Sequence, residues 1–206
     1  MGRRVAVMRP AVAGILLAGG RATRMGGRDK AFAAVGGEPI AVRSLRLFSE
    51  LFPQVLVVTN RPERFDGLGY DTTPDRFPGC GPLGGLHAGL LASRCPHAFV
   101  AACDMPGLDA NVIRFLVSRV DTADAIVPCW EDDIEPLHAI YARRCLPVIE
   151  ESLRTGRHAL RDVLRLLVVD YVSEPELRAL RGSQGSLTNV NTPEELAAVG
   201  GRFDEC

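Results

Sequence analysis

Residues Val12 to Ala18 read V-A-G-I-L-L-A, a nearly continuous apolar run that stops at Gly19-Gly20. A half-buried strand would alternate apolar and polar residues, and an amphipathic helix would interrupt the run every third or fourth position. A short apolar block closed by glycines fits a strand covered on both faces, the habit of parallel sheets with helices above and below. Gln54 to Thr59 and Ala98 to Cys103 repeat the pattern. Between such strands lie helical stretches: Pro39 to Leu51 puts Ile40, Ser44, Leu47, Phe48 and Leu51 on one face, and Gly81-Pro82-Leu83-Gly84-Gly85 is a turn opening a helix through Leu91. Asp109 reads as the N-cap of a further helix.

The second half continues the alternation. Ala123 to Cys129 and Leu137 to Tyr141 flank the acidic tip Glu131-Asp132-Asp133, which reads as a solvated hairpin and predicts an antiparallel edge to the sheet. Cys145 to Arg154 and His158 to Leu164 read as helices, and Leu166 to Val172 as a strand. Ser173-Glu174-Pro175-Glu176 and Thr192-Pro193-Glu194-Glu195 carry capping-box spacing. Strands alternating with helices from end to end predict an α/β fold, a three-layer α/β/α Rossmann-like domain with a mostly parallel mixed sheet. Its bounds are 12–200, between a basic tail at 1–11 and a C-terminal tail at 201–206. A ligand is expected at the carboxyl ends of the strands.

Charge narrows the partners. The 206 residues hold 24 Lys+Arg against 25 Asp+Glu, a net charge of −1, which argues against nucleic acid as a partner. No apolar run approaches the ~20 residues that cross a bilayer, so no membrane partner is expected. Six cysteines form no Cys-x-x-Cys pair, which predicts reduced, mostly buried thiols and a cytoplasmic location.

Within that frame, Leu17 to Lys30 reads L-A-G-G-R-A-T-R-M-G-G-R-D-K. Four glycines allow close backbone approach, and successive N–H groups form an anion nest. Arg21, Arg24, Arg28 and Lys30 against Asp29 leave +3 in ten residues, and Lys30 is the single lysine beside 23 arginines. Such a loop suits a triphosphate. It is neither a Walker loop nor a dinucleotide fingerprint, because Gly-Lys-Ser/Thr and Gly-x-Gly-x-x-Gly are both absent. Asp104, closing the Ala98 to Cys103 strand on the same sheet edge, is a carboxylate placed to hold Mg²⁺ beside substrate phosphates. The plainer readings are a basic surface loop and a helix-entry aspartate, although Asp109 already fills the latter role.

These residues resemble a known family. Leu17-Ala18-Gly19-Gly20, Arg24-Met25-Gly26 and Asp29-Lys30 look like the signature of molybdenum cofactor guanylyltransferases within the nucleotidyltransferase superfamily. Gly81-Pro82-Leu83, Cys103-Asp104-Met105-Pro106, Pro136-Leu137-His138-Ala139-Ile140-Tyr141 and Asn189-Val190-Asn191-Thr192-Pro193-Glu194-Glu195-Leu196 follow in the family's order. The resemblance implies transfer of GMP from Mg·GTP to the terminal phosphate of molybdopterin, with release of pyrophosphate. Partners implied are GTP, molybdopterin, and molybdenum-insertion and molybdoenzyme maturation proteins. It assigns Leu17, Ala18, Gly19, Gly20, Lys30, Asn60, Asp75 and Asp104 to the nucleotide. Lys30, Arg24 and Asp104 carry catalysis, with Asp104 the metal ligand. Asn189 and Asn191 line the acceptor side, with His138 and Arg157. Two alternatives stay open: a related transferase with another base or acceptor, such as cytidylyl transfer or a sugar phosphate, and a non-catalytic nucleotide-binding module. A phosphate acceptor is already ionised near neutral pH, so no histidine is needed as a base.

Overall fold

The opening apolar run forms β1 (Val12–Leu17), buried along its whole length. The protein is seen here in a computed structural model that describes residues 11–19, 30–131 and 133–203. After β1 come β2 (Ala34–Val35), β3 (Glu38–Pro39), α1 (Ile40–Leu51), β4 (Val55–Val58), β5 (Asp71–Thr73), α2 (Pro82–Ala92), β6 (His97–Ala102) and α3 (Ala110–Ser118). The second half supplies β7 (Ala125–Trp130), β8 (Asp133–Ile134), β9 (His138–Ala142), α4 (Leu146–Arg154), α5 (Leu160–Leu164) and β10 (Val169–Val172). It ends with α6 (Glu174–Arg178), α7 (Ser183–Ser186), α8 (Pro193–Ala198) and β11 (Gly201–Arg202).

The main sheet runs β10-β7-β9-β6-β1-β4-β5, with β8 paired to β7. β1 lies parallel to β4 and β6, as two-sided burial requires. The hairpin reading predicted an antiparallel edge, which the structure corrects: the antiparallel strand is internal. β9 inserts between β6 and β7, antiparallel to both, and the edge strand β10 is parallel to β7. The apolar blocks are strands, as expected, but a hairpin leaves open which neighbour its second strand acquires.

Side chains alternate to the two faces of the sheet. Ile15, Leu17, Val58 and Val100 face Leu83, Leu86 and Leu90 of α2 and Ile149 of α4. Leu16, Val57, Phe99 and Ile140 face Leu45 and Phe48 of α1, Ile113 of α3 and Leu177 of α6. Helix α2 lies unusually close to the sheet: a Cβ on Gly89 would stand 2.7 Å from Ile15 Cγ2, and one on Gly85 would stand 3.4 Å from Leu17 Cδ2. Asp109 caps α3, its side chain accepting from Asn111 and Val112 N–H, and Thr192 and Glu195 form the expected capping box on α8.

A small second sheet, β11-β2-β3, completes the fold. It covers a separate core of Ala33, Ile40, Val190 and Leu196. The C-terminal tail expected from 201 is therefore corrected: Gly201 and Arg202 pair with Val35 and Ala34. The cysteine reading is also amended. Among the described residues none is disulfide-bonded, but only Cys95 and Cys145 are buried, while Cys80, Cys103 and Cys129 are half-buried.

Candidate functional site

Because β1, β4, β6 and β7 point the same way, their carboxyl ends share one sheet edge. Ala18 N–H donates to the Val58 carbonyl (2.9 Å) and Cys103 N–H to the Leu17 carbonyl (3.1 Å), which ties the ends of β1, β4 and β6 together. Gly19 follows directly, and among the described residues a Cβ there would have nothing within 4 Å. Its backbone therefore opens onto the edge, as close approach by a ligand requires. Gly20 and Arg24 lie outside the described residues. Lys30 opens a short 3₁₀ turn, Lys30–Phe32, whose Ala31 is buried. The neighbouring Ala33 shares its core with Val190, so the backbone leaving the glycine loop is packed against the Asn189–Asn191 segment. The two stretches are far apart in sequence, and the small core under the second sheet brings them together.

At the β4 end, two residues with no anchoring motif between them meet. Asn60 Oδ1 accepts from Asp75 N–H at 3.0 Å, and Asp75 Oδ1 accepts from Phe77 N–H at 2.8 Å. The Asp75 carboxylate lies over the first turn of α2, where a Cβ on Gly84 would stand 2.6 Å from Asp75 Oδ1. Glycine is what lets the carboxylate sit there.

At the β6 end, Asp104 is half-buried and its carbonyl accepts from Val190 N–H at 2.8 Å. That bond draws the Asn189–Asn191 segment against it. Asn189 in turn donates Nδ2–H to Glu135 Oε2 at 2.9 Å, and Glu135 Oε1 accepts from Leu137 N–H at 3.1 Å. Burial raises the Glu135 carboxyl above its ordinary range, with the negative charges of Asp104 and Asp133 pushing the same way. Asn189 Oδ1 is buried and has no hydrogen-bond partner among the described residues. Two carboxylates and an unsatisfied carboxamide oxygen thus converge at the carboxyl end of β6, next to the end of β1. Among the described residues no three His, Cys, Asp or Glu side chains group together as a metal centre. Hard oxygen donors too few to enclose an ion fit Mg²⁺, which keeps waters and substrate phosphates in its shell. Glu135 was missed by the sequence reading. The signal was present, since it opens the Pro136–Tyr141 motif, but a glutamate after an acidic tip looks like more of the same charge run.

The remaining assignments separate. Asn191 is held through its N–H, which donates to Glu195 Oε2 at 2.6 Å, as part of the α8 cap. Arg157 sits on the α2 side of the sheet: its neighbour His158 places Nε2 3.4 Å from Cys80 Sγ, and its own Nε donates to Thr155 Oγ1 at 3.3 Å. It is not brought to Asn189. His138 corrects the expectation of an acceptor contact. It is 0% exposed, its ring lies 5.0 Å from Phe99 in edge-on contact, and neither nitrogen has a hydrogen-bond partner. Burial pushes its pKa down to about 3, so it is a neutral core residue.

The family model for the MobA-like NTP transferase domain matches residues 14–176. A probable molybdenum cofactor guanylyltransferase of Pelotomaculum thermopropionicum is 38% identical over 183 residues, 89% of each chain. The molybdenum cofactor guanylyltransferase of Desulfosudis oleivorans is 38% identical over 187 residues, 90% of this chain and 93% of its own. Among solved structures, molybdopterin-guanine dinucleotide biosynthesis protein A of Archaeoglobus fulgidus superposes with a TM-score of 0.79 at 26% identity, covering 91% of this chain and 96% of that one. The 2-C-methyl-D-erythritol 4-phosphate cytidylyltransferase of Thermus thermophilus, at 17% identity, TM-score 0.66 and coverage of 90% and 95%, shares the fold alone.

Proposed function

This chain belongs to the MobA-like NTP transferase family, and from that premise we propose that it transfers GMP from Mg·GTP to the terminal phosphate of molybdopterin, releasing pyrophosphate. The observation that carries the reading is the meeting of Asp104, Glu135 and Asn189 beside the end of β1, where the glycine loop begins. A phosphate acceptor attacks without a general base, so the site needs charge neutralisation and alignment more than proton transfer. The donor set meets the first need at the cation. Lys30 and Arg24 supply positive charge to the triphosphate. Bound Mg²⁺ would be held by Asp104, with Glu135 and Asn189 supporting it, and would neutralise charge on the phosphate oxygens.

The rest of the chain orients the substrates. Leu17, Ala18, Gly19 and Gly20 offer backbone groups to the nucleotide, and the Asn60–Asp75 pair holds the guanosine end. Asn189 and Asn191 face the acceptor. We place the reaction in the cytoplasm, where GTP is available; no helix among the described residues is long and apolar enough to cross a membrane. Molybdenum-insertion and molybdoenzyme maturation proteins are the proposed recipients of the product.

Pyrophosphate release with Mg²⁺ and molybdopterin tests the reading: GTP should support it, and CTP or UTP should not. Equal rates with CTP would overturn the guanylyl assignment, and no release with authentic acceptor would leave a nucleotide-binding module. Lys30→Ala should weaken transfer by about 1–3 kcal/mol, the scale of one charge-assisted contact. Lys30→Arg should not restore it, because a planar fork does not replace a compact ammonium. Gly84→Ala tests the guanosine end. The added methyl must displace the Asp75 carboxylate, so KM for GTP should rise about tenfold with kcat nearly unchanged, at a stability cost of about 1–3 kcal/mol. An unchanged KM in a folded variant removes Asp75 from the nucleotide site.

A further inference from the structure

We propose that the cleft beside Trp130 takes the planar fused-ring end of the acceptor by stacking. The proposal rests on the reading above that the acceptor is a pterin phosphate. The cleft has a volume of about 290 Å³ and is lined by Trp130, Arg178, Gly182, Ser183 and Gly185. The Arg178 guanidinium carbon lies over the indole ring, 4.7 Å from its centre, so an aromatic ring and a guanidinium meet in its wall. Arg178 is held in place by Glu174, to which its Nε donates at 2.6 Å, and Glu174 is itself fixed by the N–H of Glu131 at 3.0 Å. The guanidinium charge is therefore already compensated. A flat, charge-compensated platform favours a neutral planar ring over an anion. Gly182, at φ 81°, and Gly185 line the same cleft without side chains, which leaves room for a ring against the wall.

Position supports the same ligand. Trp130 ends β7, so the cleft opens on the edge that carries Asp104. The strand order puts β7 two places from β6 on one side, and β4, with Asn60, two places from β6 on the other. At about 4.8 Å per strand, each is roughly 10 Å from the Asp104 position along the edge. A nucleotide whose base lies toward β4 and whose phosphates lie at β1 and β6 leaves the β9–β7 side for the acceptor. The cleft is also built on the Asp104 segment: the Gly185 carbonyl packs so tightly against Gly107 that a Cβ there would overlap it, and Asp109 N–H donates to Ser186 Oγ at 3.0 Å.

Guanine carries the same aminopyrimidinone edge as a pterin, so the test sets the two against each other. Trp130 is the only tryptophan in the chain, and its accessibility to acrylamide reports on this cleft. In the intact protein with Mg²⁺, neopterin should protect Trp130 from acrylamide quenching and GTP should not. With molybdopterin as acceptor, Trp130→Ala should raise KM for molybdopterin by about tenfold, the scale of one lost stacking partner. Its KM for GTP should stay as in the unsubstituted protein, and Trp130→Phe should recover most of the effect. Arg178→Ala, at an exposed position, gives the same direction should Trp130→Ala fail to fold. Protection by GTP, or unchanged acceptor KM in folded Trp130→Ala and Arg178→Ala, overturns the proposal while leaving guanylyl transfer standing. Absence of turnover in the unsubstituted protein overturns the transfer reading instead, and the neopterin protection measurement then decides the cleft by itself.

Discussion

Asp104→Ala should lower kcat/KM by at least about 10³-fold, the scale expected when a metal anchor and its charge stabilisation are removed together. The expectation follows from where the side chain stands. Its carboxylate is half-buried at the end of β6, in the electrostatic reach of Glu135, and the bond that secures the Asn189–Asn191 segment comes from the Asp104 carbonyl, which alanine keeps. Thermal unfolding should therefore move little while turnover collapses. Removing one of the two negative charges should also let Glu135 ionise more readily, since Asp104 is one of the causes holding its pKa up. Near-normal pyrophosphate release in the Asp104→Ala protein would withdraw the metal role. A large loss of Tm would show that the residue is structural.

Legibility from the sequence tracked how local each signal is. Buried strands, the Asp109 cap, the capping box at Thr192 and the helix after Pro39 depend on neighbours within a few residues, and each appears in the structure. The order of strands is not local. A hairpin around Glu131 told that β7 and β9 would be antiparallel but not that β9 would also take β6 as a partner, because a turn fixes only the pairing of the two strands it joins. The small sheet was invisible for the same reason: β2, β3 and β11 have two residues each, too short for any periodicity, and are defined only by pairing. In the candidate site, Asn60 and Asp75 came from a resemblance with no fixed motif between them, and the structure supplies the bond that joins them. Glu135 went unread because its charge resembled that of the exposed tip before it. His138 was misjudged because a motif position says nothing about which face of a strand its side chain takes. On β9 that face is the one carrying Phe99, Leu16 and Ile140.

That burial gives the second large effect, in stability toward acid. A histidine unfolds with its ordinary pKa near 6.5, whereas in the fold His138 is pushed down to about 3. The unfolded chain thus binds a proton that the folded one refuses, so this contribution is complete above pH 6.5 and is lost as pH falls toward 3. The slope is about 1.4 kcal/mol per pH unit, which makes the loss about 2 kcal/mol between pH 7.5 and pH 5. His97 is also lowered, by burial and by the charge of Arg144, and adds in the same direction. The paired carboxylates Asp124, Glu38 and Glu174 are held below their usual range and begin to contribute only at lower pH. Denaturant unfolding at pH 7.5 and pH 5 should accordingly show a difference that shrinks by about 2 kcal/mol in His138→Leu. At pH 7.5 the leucine variant should be at least as stable as the histidine protein, because it replaces two buried nitrogens without hydrogen-bond partners by apolar atoms. Its KM for the acceptor should not change. Parallel stability curves for the two proteins would mean that His138 titrates normally, and a raised acceptor KM would return the residue to the site from which its burial removes it.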